Sequence, residues 1–70
     1  MNPALRYLCA LRDTYIDRLN AAARDLYLAR QEDDDYEASL IEVECDTWLM
    51  ALSILDGEMA RAEKEAPGEP

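Results

Sequence analysis

Seventy residues with a net charge of −9, half of them apolar and none of them His, set the limits before any motif is considered. A chain this short makes one domain at most, with a thin core, yet it is too apolar for a disordered segment. The missing imidazole removes the usual general base and most transition-metal and di-iron ligand sets, and the negative balance disfavours nucleic acid and anionic membrane as direct ligands.

The apolar residues are helix formers: eleven Ala and ten Leu stand against one Val, three Ile, two Thr and no Phe, which argues against a sheet. Pro3 opens the chain, Gly57 comes next, and Pro67, Gly68 and Pro70 close it, so residues 4–56 contain no breaker. No run approaches the roughly 20 apolar residues of a membrane span, and no basic segment leads into an apolar signal core. A cytoplasmic protein is expected. Cys9 and Cys45 alone make no disulfide framework, which fits a reducing compartment.

In chain order, Asn2 and Pro3 predict a helix start, because Asn caps free amides and Pro suits the first helical position. Leu5, Leu8, Arg12, Tyr15, Leu19, Ala22, Leu26 and Ala29 then recur at alternating steps of three and four. That is a heptad seam with one polar intruder, Arg12, on a helix over residues 3–31. An acidic turn is expected at 32–35, its carboxylates suited to the positive end of the next helix. Asp34 with Glu37 forms one capping box and Ser39 with Glu42 a later alternative.

The second helix is predicted over 36–65, continuing past Gly57, with a wholly apolar seam of Ala38, Ile41, Cys45, Trp48, Leu52, Leu55, Met59 and Ala62. A flexible tail is expected at 66–70. The two seams mirror each other about the turn: Leu5 meets Ala62, Leu8 meets Met59, Tyr15 meets Leu52, Leu19 meets Trp48, Ala22 meets Cys45, Leu26 meets Ile41 and Ala29 meets Ala38. Both helices rise about 1.5 Å per residue, so one antiparallel register satisfies every pair. It sets Cys9 and Cys45 too far apart along the hairpin to bond within one chain. The fold class is therefore all-α, a single-domain antiparallel helical hairpin.

One seam per helix closes a hairpin, yet the stretch from Trp48 to Leu55 is apolar nearly all round, and such a helix is expected to be buried on all sides. Leu40, Val43, Met50 and Ile54 form a second stripe beside the first, and Cys9, Leu11 and Ile16 widen the face of helix one. Two hairpins pairing into a homodimeric four-helix bundle would cover this surface. Leu19, Leu40, Val43, Trp48, Leu52, Ile54 and Leu55 are the expected core and dimer residues.

Charge divides unevenly: residues 3–31 hold five Arg and three Asp, for +2, and residues 32–70 hold thirteen acids against Arg61 and Lys64, for −11. The arginines of helix one lack acids three or four residues away on that helix, so their partners lie elsewhere. The register sets Arg30 opposite Glu37, Arg24 between Glu42 and Glu44, and Arg12 near Asp56.

No nucleophile has a base to activate it, there is no phosphate-binding Gly loop, and the acidic turn lacks the mid-loop Gly and spaced ligands of a calcium loop. No enzyme, metal or cofactor is expected. The composition points to a protein-binding regulator or inhibitor with two kinds of partner, itself and a larger target. Tyr7, Arg12, Arg18, Tyr27, Tyr36 and Met50 are the candidate contacts, large amphipathic and Arg side chains being the types that dominate interfaces. The alternative is a nucleic-acid mimic, with Glu37, Glu44, Asp46, Asp56, Glu58 and Glu63 standing in for phosphates before a basic protein. A purely structural piece of a larger assembly is a third possibility.

The stretch Asp46-Thr47-Trp48-Leu49, its Ala/Leu-rich continuation and Ala60-Arg61, together with the length, acidity and two-helix plan, resemble the small phage-encoded quorum-sensing anti-activators. That resemblance implies a dimeric helical hairpin that binds a LuxR-type transcription activator and a pilus-assembly ATPase, acting in a host cell's cytoplasm. It implies no particular contact residue.

Overall fold

The computed structural model describes residues 2–65, in which two helices run side by side: α1 (Pro3–Gln31) and α2 (Asp35–Glu65). The expected tail at 66–70 lies outside the described residues. The helices make an antiparallel hairpin, 15 × 10 Å in cross-section, so it is two helices wide and one thick. Its radius of gyration of 16.2 Å compares with about 11 Å for a compact domain of this length.

Each helix begins as the residues predict. The Asn2 side-chain oxygen accepts from the Ala4 amide at 2.9 Å with Pro3 in the first turn, so one otherwise orphaned donor is satisfied and the Pro removes another. At the second start, Asp34 Oδ1 accepts from the Glu37 amide at 3.1 Å and the Asp34 carbonyl from Ala38 at 2.9 Å. Asp34 is thus the cap, α2 starts at Asp35 rather than 36, and the later start at Ser39 is unused. Asp35 and Glu37 occupy the first turn, where carboxylates oppose the helix dipole.

The turn is three residues long, and Asp33 carries it with a positive φ of 59°. The Asp33 amide donates to the Arg30 carbonyl at 3.2 Å and the Asp34 amide to Ala29 at 3.0 Å. This pair of bonds closes a helix in the Schellman pattern, normally with Gly at the left-handed position. Asp34 therefore ends one helix and caps the next. Left-handed backbone costs an ordinary residue about 1–2 kcal/mol, less for Asp. Asp33→Gly is expected to raise stability by about 1 kcal/mol, read as a higher urea midpoint at unchanged m-value; a lower midpoint would contradict this account of the turn.

The mirrored seams close as expected. Apart from Arg12, every seam residue is buried or half-buried, Ala22, Ala29, Ala38, Ile41 and Leu55 most deeply. Ala22, Ala29, Ala38 and Ile41 form one cluster, with Leu26, Cys45 and Trp48 packed against it. Small side chains therefore concentrate in the seam nearest the turn, where three connecting residues hold the helices together. α2 continues through Gly57, where an added Cβ would meet nothing within 4 Å. Cys9 and Cys45 are half-buried free thiols.

Two details depart from the register. Trp48 pairs with Tyr15 instead of meeting Leu19 alone: the ring centroids are 5.4 Å apart at 46°, because rings of this size reach across adjacent layers. Arg30 pairs with Glu42 rather than Glu37. Helical side chains slope toward their own N-terminus, so in antiparallel helices Arg30 slopes away from the turn and Glu42 toward it, and they meet between their backbone levels.

Candidate interaction surface

What the seam leaves over determines the surface. On a helix of 3.6 residues per turn, Tyr36, Leu40, Val43, Thr47, Met50 and Ile54 recur at steps of four and three, about 150° around α2 from its seam. Leu40, Val43, Met50 and Ile54 are 51%, 64%, 66% and 62% exposed. The second stripe therefore stands across the helix from the first, not beside it, and Leu40, Val43 and Ile54 lie outside the buried core of the hairpin. Leu19, Trp48, Leu52 and Leu55 do belong to the seam.

Thr47 does not interrupt the stripe. Its hydroxyl donates to the Val43 carbonyl at 2.9 Å, so the side chain's hydrogen bond is made within the helix. The stripe runs from Tyr36 to Ile54, about 27 Å at 1.5 Å per residue. Around its far end Tyr15, Ala51, Ile54, Leu55 and Glu58 line an open groove of about 270 Å³.

The six candidate contacts do not form one surface. Tyr36 and Met50, both well exposed, share the stripe. Tyr7 and Tyr27 are exposed on α1 but stand about 30 Å apart along it. Arg12 is drawn back to the hairpin, its Nε 3.5 Å from Asp56 Oδ1. Arg18 is exposed and has no ion pair among the described residues. Leu40, Val43 and Ile54, expected as core and dimer residues, are exposed and join Tyr36 and Met50 on the stripe. Their three-and-four spacing from residue 36 onward marks them in the sequence as plainly as it marks the seam.

Glu42 and Asp56, which face α1, pair with Arg30 and Arg12, and Glu58 pairs with Arg61 at 2.9 Å. Such exposed pairs contribute about 0–1 kcal/mol each. Glu44 accepts from the Trp48 indole at 3.3 Å, which satisfies a donor that the seam would otherwise strand. Asp35, Glu37, Glu44 and Asp46 have no ion pair among the described residues. Arg24, expected between Glu42 and Glu44, also has none there.

A second depression, lined by Asp25, Leu28, Ala29, Glu32, Glu37, Ile41 and Glu44, lies near the turn. No group of His, Cys, Asp or Glu among the described residues could hold a metal ion, and no helix there is long and apolar enough to cross a membrane. No family model, curated protein or solved structure matches the chain.

Proposed function

We propose that the protein is a non-enzymatic, protein-binding regulator or inhibitor that docks a larger protein along the outer face of α2. The observation that supports this most is the exposed stripe. Tyr36, Leu40, Val43, Met50 and Ile54, at roughly 100 Å² of apolar surface each, present on the order of 500 Å² in one strip. That is within the size range of the largest apolar patches on monomeric proteins, which are often functional. The hairpin gains nothing from it, since the helices already close through the opposite side of α2.

The resemblance to phage anti-activators suggests a setting for such docking, a small protein that blocks a bacterial transcription activator or motor ATPase. A twofold pair of hairpins is the other arrangement that would cover the stripe.

The test is affinity capture from cells of the source organism or its host, comparing wild type with the double variant Val43→Glu/Met50→Glu and with Tyr27→Ala. Both substituted stripe positions are exposed, so the thermal melt should be unchanged. The expected result is one target retained by wild type and Tyr27→Ala and lost by the double variant. Equal recovery by all three would place docking elsewhere on the molecule and overturn the proposal.

A further inference from the structure

We infer that the partner element seated on the outer stripe of α2 is a basic amphipathic helix, with Lys or Arg flanking its apolar seam. This rests on the docking role proposed above and adds the chemistry of the occupant. Spacing gives its shape, because an apolar strip recurring at four and three residues accepts a second helix laid along α2, side chains interlocking over several turns. A strip about 27 Å long matches roughly 18 residues of such a helix.

Charge gives its sign. From Asp35 to Gly57, α2 carries six acids, Asp35, Glu37, Glu42, Glu44, Asp46 and Asp56, and no Lys or Arg. The two that face α1, Glu42 and Asp56, are matched by its arginines. Of the four without an ion pair among the described residues, Asp35 and Asp46 border one edge of the stripe, while Glu37 and Glu44 lie along the other, where it adjoins the depression shared with Asp25, Leu28 and Ala29 of α1. Flanking positions of paired helices set partner choice through their charges, and an apolar strip between two acidic rails selects basic flanks.

A second copy meets this rule poorly. Antiparallel pairing of two such stripes centred on Thr47 sets Glu37 level with Gly57, next to Glu58, at both ends and Asp46 near its own mate. Parallel pairing sets Ser39, Asp46 and Ser53 against Glu44, Ala51 and Glu58. Of the cations, only Arg61 comes near in the antiparallel pairing, at the end of the strip beside Asp35 of the mate, and it already pairs with Glu58; Glu37, Glu44 and Asp46 gain none.

The experiment uses the full chain and three fluorescent peptides of roughly 20 residues with one shared Leu/Ile seam, flanked by Lys, Gln or Glu, read by anisotropy beside sedimentation of the protein alone. The Lys peptide is expected to bind at least about tenfold more tightly than the Gln peptide, with the Glu peptide weakest and the preference shrinking in high salt. Val43→Glu or Met50→Glu should weaken the Lys peptide by about tenfold, although each adds a negative charge that would strengthen unspecific attraction. Glu44→Gln/Asp46→Asn should reduce the preference for Lys while sparing the Gln peptide.

Equal binding of all three peptides, lost in the stripe variants, would overturn the basic partner and leave the docking role standing. Lys-peptide binding that ignores the stripe variants would be bulk charge attraction and would overturn the inference. A dimer dissolved by Met50→Glu would make the second copy the occupant. A monomer that binds no peptide would overturn both the occupant and the docking face.

Discussion

Ile41→Asp is expected to abolish the cooperative thermal transition of this protein. Ile41 is 8% exposed and lies in the cluster with Ala22, Ala29 and Ala38. A carboxylate placed there has no cation in the seam and must be desolvated or protonated, at a cost of several kcal/mol. At about 0.05–0.15 kcal/mol per residue, a chain of this length has only about 3.5–10 kcal/mol in total. Circular dichroism would show reduced helicity melting without a sigmoid, since isolated helices are marginal in water. Met50→Asp, about two and a half turns farther along α2 and so on its outer side, should melt like wild type. If Met50→Asp unfolded the chain and Ile41→Asp did not, the assignment of inner and outer faces would be reversed.

The second large effect is expected at Trp48. Its ring packs against the buried cluster and tilts over Tyr15 at 5.4 Å, so it spans two layers of a seam that has few. Trp48→Ala should lower stability by about 3 kcal/mol, near the bottom of the range for buried aromatics because the residue is only half-buried. Trp48→Phe keeps the ring contact and loses the indole bond to Glu44, and should cost about 1 kcal/mol. A double-mutant cycle with Tyr15→Leu isolates the ring pair, expected near 0.5–1.5 kcal/mol. A Trp48→Ala cost below 1 kcal/mol would show that the indole lies on the surface rather than in the seam.

Much of the fold was legible because helical periodicity and capping act over short distances. The three-and-four spacing of Leu5 to Ala29 and of Ala38 to Ala62 contains the pairing, and Asn2, Pro3 and Asp34 mark starts whose chemistry needs no tertiary context. Backbone level alone points Arg30 to Glu37, whereas the slope of the side chains brings it to Glu42. Nothing in the sequence marks the left-handed Asp33, since Gly is the usual signal there. The spacing shows the outer stripe as surplus, and its place across the helix rather than beside the seam follows from the angle between Ala38 and Leu40. No single residue of the chain carries chemistry that names a target, so the interaction surface had to come from exposure and charge, which require the fold.

Asp34 does more than join two helices. With apolar strips on opposite sides, α2 could in principle close against α1 through either, and two rival hairpins would compete. A loose connection would let α2 roll between them. Because one residue both terminates α1 and caps α2, with no spare link between, the azimuth of α2 is set where the chain reverses. The turn works as an indexing pin: it decides which side of a two-sided helix becomes interior and keeps the other available. A flexible Gly/Ser insertion after Asp33 would be expected to unlock that choice, and the two phases could then be told apart by whether position 50 or position 55 is protected from solvent.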